Sequence, residues 1–217
     1  MTQFKCLVML LTTMAGVGAS KPSASNAPPG SPPDKTLLFY AFDFEKGTNG
    51  WTLMSGAFQV ENGSYRSRAI TAENKLSRAI IGDNTWRDYT VEARLKLEQS
   101  VDPKADFGIF ARYQDPNNYY LFLYKIESQT MVIERKLKGK LQVIAEAPLA
   151  LEAGKWHDFK GTLFGGNLAV EVDGKKLAEV ADENFNNGGA GLLVYWADAS
   201  CARFNVHRAA AARRDAK

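Results

Sequence analysis

An all-β fold, two antiparallel sheets stacked as a jelly-roll sandwich, is what this sequence predicts, on three observations. Val91, Ala93, Leu95 and Leu97 alternate with Glu92, Arg94, Lys96 and Glu98, the period-two pattern of a strand with one buried face. Short runs of strand-formers are separated by Glu61-Asn62-Gly63, Lys138-Gly139, Gly165-Gly166-Asn167 and Asp173-Gly174, residues that tolerate the positive φ of tight hairpins. No segment sustains a 3.6-residue apolar period, so many half-apolar strands must bury their faces by closing two sheets over one another.

The elements follow in order. Residues 1–19 carry one cation, Lys5, then an uncharged apolar stretch and the small residues Gly18 and Ala19, the order of a secretory signal peptide. That stretch falls short of the roughly 20 apolar residues of a spanning helix, and Cys6 precedes it, where the cysteine of a lipid anchor would follow it. Residues 20–34 form a Pro/Ser-rich linker that holds five of the eight prolines and favours an extended spacer. The sandwich domain is expected over 35–206, with strands near 42–45, 58–61, 64–68, 76–80, 89–97, 107–114, 119–126, 130–136, 141–145, 157–164, 168–172, 177–182, 191–196 and 202–206. A basic, Ala-rich tail occupies 207–217. The leader points to a secreted or periplasmic protein.

The formal charge is +3, but the ends supply that excess and the folded span is close to neutral. Its cations alternate with acids, the pattern of a solvated strand face, which argues against nucleic acid as a partner. With the leader removed, Cys201 is the one remaining cysteine, so no internal disulfide forms. A span of this length buries enough apolar surface to fold as one domain without one.

The stretch from Gly108 to Tyr120 joins two strands through a polar turn and gathers Arg112, Asp115 and Asn118. Planar donors and carboxylates beside an aromatic face are what a sugar requires. The structural alternative is that Arg112 pairs with Asp115 while Asn118 caps its own turn. Tyr120, Phe122 and Tyr124 share one strand face and Tyr119, Leu121 and Leu123 the other, so one aromatic face is available to a ligand unless both sheets and loops cover it. Trp196, near Asp198, is a further ligand candidate. Serine nucleophile elbows, zinc spacings, phosphate-binding loops and Cys-His pairs are absent from the sequence.

Phe42-Asp43-Phe44-Glu45, Gly50-Trp51, Gly56, the strand from Tyr89 to Leu97, the Gly108 to Tyr120 stretch, Trp156, Val170 to Gly174 and Gly189-Ala190-Gly191-Leu192 together resemble, in their order, the concanavalin A-like lectin and glucanase superfamily. Within it the chain looks most like laminin-G-like jelly rolls and the carbohydrate-binding modules of glycosidases. The resemblance implies a curved sandwich that takes a glycan or polysaccharide on its concave sheet or at its rim loops, with Arg112, Asp115, Asn118 and Tyr120 as ligand-binding residues and Trp51 and Trp156 as core anchors; Tyr124, on the aromatic strand face, and Trp196 join the ligand candidates from the residues themselves. It also admits a structural calcium ion at Asp43 and Glu45, although Phe204-Asn205 stands where the superfamily often has Phe-Asp.

Superfamily glucanases carry Glu-x-Asp-x-x-Glu on one strand, whereas here Glu171-Val172-Asp173 runs into a turn and lacks the second glutamate. A non-catalytic lectin-like module is therefore the reading. The alternatives are a hydrolase or lyase using scattered acids such as Glu92, Asp106, Asp115, Glu134 or Asp198, and an envelope domain that binds another protein.

Overall fold

The structure, a computed structural model, describes residues 38–209; the expected signal peptide and linker, and the tail beyond Ala209, lie outside the described residues. Fifteen strands form: β1 (Leu38–Phe42), β2 (Thr52–Ser55), β3 (Phe58–Glu61), β4 (Ser64–Arg68), β5 (Leu76–Ile81), β6 (Tyr89–Ser100), β7 (Asp106–Asp115), β8 (Asn118–Lys125), β9 (Thr130–Leu137), β10 (Lys140–Pro148), β11 (Trp156–Phe164), β12 (Asn167–Val172), β13 (Lys175–Ala181), β14 (Gly189–Tyr195) and β15 (Ala197–Arg208). One sheet runs β13-β12-β11-β6-β15-β4-β3, with β1 also on β15; the other runs β10-β9-β8-β7-β14-β5-β2. Every pairing is antiparallel. This is the predicted two-sheet jelly-roll sandwich, and among the described residues no helix is long and apolar enough to cross a membrane.

The alternation in β6 is realised as read: Tyr89, Val91, Ala93, Leu95 and Leu97 are buried between the sheets and the charged residues between them are half-buried. The hairpins at Asn62-Gly63, Lys138-Gly139 and Asp173-Gly174 take positive φ at both positions, the twist that matches paired strands. Fully buried Phe44, Tyr89, Phe107, Phe122, Phe159 and Phe204 anchor the core, each ring stabilising the fold by about 1.5–3 kcal/mol relative to exposure.

Three expectations are revised. The strand near 42–45 is instead β1 ending at Phe42, then a single 3-10 turn over Phe44–Lys46 that drops Phe44 into the core against Tyr65 at 5.0 Å. β2 escaped the reading because it is a mostly exposed edge strand without alternation. Trp51 packs on the core and meets Phe204 edge-on at 4.9 Å, but Trp156 is no core anchor: it is half-buried with the Lys96 ammonium 4.8 Å over its ring.

The outer face of the seven-stranded sheet is unexpected. Ile80, Phe110, Tyr113, Tyr119, Leu121, Leu123, Val132 and Leu193 form a second apolar cluster in which no member exceeds 9% exposure. Phe110 meets Tyr119 edge-on at 5.0 Å and Tyr113 stacks on Tyr119 at 5.7 Å. Packed apolar side chains occupy that face, and a cleft with polar groups opens instead at the rim of the sandwich.

Candidate functional site

β7 carries a bulge between Ala111 and Asp115, matched by a shift between Gly189 and Gly191 on β14. Within it Arg112 takes φ 45°, a left-handed conformation that costs a non-glycine residue about 1 kcal/mol or more. The twist reverses side-chain alternation: Tyr113 joins the outer cluster and Arg112 turns inward with 0% exposure. The bulge needs Gly188, whose φ is 139° and whose added Cβ would sit 2.4 Å from the Arg112 carbonyl carbon.

Arg112 is fixed from several sides. Its backbone N–H donates to the Tyr89 hydroxyl at 2.6 Å, and that hydroxyl donates to the Gly189 carbonyl at 3.1 Å. The guanidinium donates through Nη1 to the Phe185 carbonyl at 2.7 Å, and through Nη2 to the Arg87 carbonyl at 3.4 Å and Asp88 Oδ1 at 3.3 Å. Burial lowers its pKa, yet an arginine remains cationic.

Asp88 is the second organiser. Oδ1 also accepts the Gly165 N–H from the β11–β12 turn at 2.8 Å, and its carbonyl accepts from the Ala209 N–H at 3.1 Å. The loop before it is tied to the β13–β14 connection, where the Gly188 N–H donates to the Trp86 carbonyl at 2.9 Å and Asn187 Nδ2 to the Asn84 carbonyl at 2.5 Å. Trp86 lies against Gly82, where φ is 83° and an added Cβ would stand 2.7 Å from three ring atoms, and it meets Tyr89 edge-on at 6.1 Å. The outcome is a cleft of about 610 Å³ lined by Thr85, Trp86, Arg87, Asp88, Phe164, Arg208 and Ala209. It offers two aromatic side chains, two guanidinium groups, a carboxylate and a hydroxyl, with Phe164 38% exposed.

The residues singled out in the sequence fall into three groups. Arg112, Tyr120 and Tyr124 are buried (0%, 0% and 2% exposed), so their side chains are not open to a ligand from solvent; Arg112 instead braces the cleft from behind. Tyr120 donates to Asp182 Oδ1 at 2.6 Å and accepts the Phe185 N–H, and Asp182 is ion-paired with Arg135. Asp115 and Asn118 bond each other at 2.8 Å across their own turn, with Asn118 Oδ1 accepting the Lys138 N–H. Hydrogen bonds from the Asn118 amide and the Asn117 N–H hold the Asp115 carboxyl below its usual pKa. Trp196, at φ 49° beyond β14, lies at the opposite end of the sandwich near Lys75.

Trp86, Arg87, Phe164 and Arg208 were not picked out from sequence. Their one shared signal is an aromatic or arginine beside a polar turn or strand end, which is common to many surfaces.

Of the acids considered for catalysis, Asp106 and Glu134 neighbour one another around Lys125, and Glu92, Asp115 and Asp198 have other partners. Asp198 is 2% exposed and bound bidentately by Arg66, and Glu92 lies 3.6 Å from His207. Glu134 is paired with Lys125 at 2.7 Å. Burial pushes the Asp106 carboxyl up to about 6, with Lys125 opposing and Glu134 adding to the rise. For calcium, Asp43 and Glu45 are exposed on either side of Phe44, and among the described residues no three of His, Cys, Asp and Glu converge.

Sheet order, register and closure define a two-sheet antiparallel jelly roll. Known proteins agree on that fold. The carbohydrate binding module CBM66 from Bacillus subtilis superposes with a TM-score of 0.65 at 19% identity, over 73% of this chain and 95% of that one. The Emp47p carbohydrate recognition domain gives 0.65 at 13% identity, over 83% and 100%. In sequence, a levanase of Bacillus subtilis (strain 168) is 23% identical over 161 residues, 72% of this chain; the match spans 22% of that protein, about a fifth of its length. No protein-family model matches.

Proposed function

We propose that the domain is a non-catalytic carbohydrate-binding module that takes a glycan in the rim cleft between Trp86, Asp88, Phe164 and Arg208. The observation that carries this reading is an open cleft that combines aromatic surface and guanidinium groups with a carboxylate held in place by buried Arg112. A sugar presents a patch of C–H groups and a ring of hydroxyls, which aromatic faces and charged hydrogen-bonding groups satisfy together. Likeness to carbohydrate-binding proteins supports the class. The leader expected at residues 1–19 supports a location outside the cytoplasm, where polysaccharides are met.

Two or three hydrogen bonds at about 0.5–1.5 kcal/mol each, with one ring face, give about 4–6 kcal/mol and a dissociation constant of about 0.1–1 mM. Display against a polymer with many equivalent ends raises the effective affinity without new contacts. The test is a glycan array followed by titration calorimetry on the wild type and Trp86→Ala. Binding that drops at least about tenfold in a variant of unchanged melting temperature supports the cleft. An unaffected affinity removes it.

A further inference from the structure

The charges around the cleft are unevenly spent. Its one carboxylate, Asp88, already accepts the Gly165 N–H and lies 3.3 Å from Arg112 Nη2, so its charge is compensated by a cation that the interior shields from solvent. Arg87 is exposed on the wall, and its side chain has no ion-pair partner among the described residues. Arg208 is exposed on the same wall.

Asp83, the other acid of this loop, is turned onto the N–H and hydroxyl of Thr85 at 2.7 and 2.5 Å. In sequence, Ala209 is followed within eight residues by Arg213, Arg214 and Lys217 against the single acid Asp215. By contrast, the outer face of the eight-stranded sheet neutralises its cations in pairs, Arg66 with Asp198, Arg94 with Asp158 and Lys160 with Glu171.

From this imbalance we infer that the cleft selects acidic glycans, those bearing carboxylate or sulfate groups, over neutral ones. The inference rests on the cleft being the glycan site. A planar guanidinium pairs a carboxylate through two parallel N–H donors, which a neutral hydroxyl cannot use fully. Trp86 and Phe164 supply the surface for the ring that carries the acid. A hydrogen bond to a charged group contributes more than a neutral one, enough for about tenfold in affinity, and the effect weakens with salt.

The experiment compares oligogalacturonate with neutral fructo- and gluco-oligosaccharides of matched length, by titration calorimetry on the full chain at low and high salt. It uses the wild type, Arg87→Ala, Arg87→Lys and Trp86→Ala. The expected result is binding of the acidic oligomer about tenfold tighter than the neutral ones. Arg87→Ala abolishes that preference, Arg87→Lys restores part of it, added salt reduces it, and Trp86→Ala weakens both ligands.

Neutral oligomers bound as tightly as the acidic one, with Arg87→Ala without effect but Trp86→Ala damaging, would overturn the acidic preference and leave the cleft reading standing. Binding of neither class, or binding indifferent to Trp86, overturns the cleft reading and this inference with it. Thermal melts confirm that Arg87→Ala folds, as its backbone carbonyl, the group Arg112 uses, is retained.

Discussion

The hydroxyl of Tyr89 joins two strands by accepting the Arg112 backbone N–H at 2.6 Å and donating to the Gly189 carbonyl at 3.1 Å. Tyr89 has no exposed surface and burial raises its pKa. Tyr89→Phe leaves a donor and an acceptor unsatisfied, at a cost of about 1–3 kcal/mol. A melting temperature lower by about 2–4 °C per kcal/mol is expected for a domain of this size. Differential scanning calorimetry checks it, and an unchanged melt refutes the bridge.

Arg112→Ala removes the donor from the Phe185 carbonyl and the counter-charge from Asp88 at one stroke. Asp88 keeps contact with solvent, so the cost is that of the buried acceptor left unsatisfied, about 1–3 kcal/mol. Arg112→Lys keeps the cation, but one ammonium cannot serve acceptors set apart around a guanidinium fork, so an intermediate loss is expected. Urea unfolding measures both. Because Arg112 lies behind the cleft wall, lost ligand binding in these variants must track lost stability.

Asp106 sets a pH dependence. Its folded pKa of about 6, raised by burial, exceeds the value near 3.9 of an unfolded chain. The native state thus holds more protons between about pH 4 and 6, and its stability falls as pH rises through that window. Carboxyls held low in the fold, Asp115, Asp173 and Asp182, act oppositely and only below about pH 4. Melting curves from pH 4 to 7 should show a decline that Asp106→Asn flattens, and a slope unchanged in that variant counts against it.

Gly82→Ala should affect the cleft without touching a charge. The new methyl is strained at φ 83° and meets the Trp86 ring at 2.7 Å, so the indole must move. A shift in tryptophan fluorescence and an affinity loss of about fivefold or more are expected, with a stability cost of about 1–2 kcal/mol. Retained affinity would show that the indole position is immaterial.

Cys201 is 2% exposed and burial pushes its thiol pKa up. A thiolate-dependent reagent should therefore modify it only through unfolding. Mass spectrometry of the Cys201 peptide, sampled across a urea series, is expected to follow the unfolding curve; rapid labelling in native buffer would contradict this burial.

The fold was legible where a strand buries one face, as β6 does in its alternating residues, and where the Asn62-Gly63 and Asp173-Gly174 turns show their backbone preferences; β7, β8 and β14, buried on both faces, carry no such alternation. The site was less so. Arg112 looked like a surface ligand because strand alternation was assumed to run through it. Its inversion depends on a bulge that needs Gly188, far along the chain, to approach its backbone. Trp86, Asp88, Phe164 and Arg208 belong to separate loops and strand ends, and no local spacing records that closing the sheets brings them together. Trp156 misled for the opposite reason: its ring is satisfied by Lys96 rather than by the core.

β15 is held along one side by β6 over nearly its whole length and along the other by β4 at Asp198 to Cys201 and then by β1 at Phe204 to His207. Ladder hydrogen bonds run across a strand rather than along it. Tension applied to the chain beyond Arg208 therefore strains all three contacts in shear, and they yield together instead of peeling one by one. Force spectroscopy pulling from that end should meet a mechanical clamp.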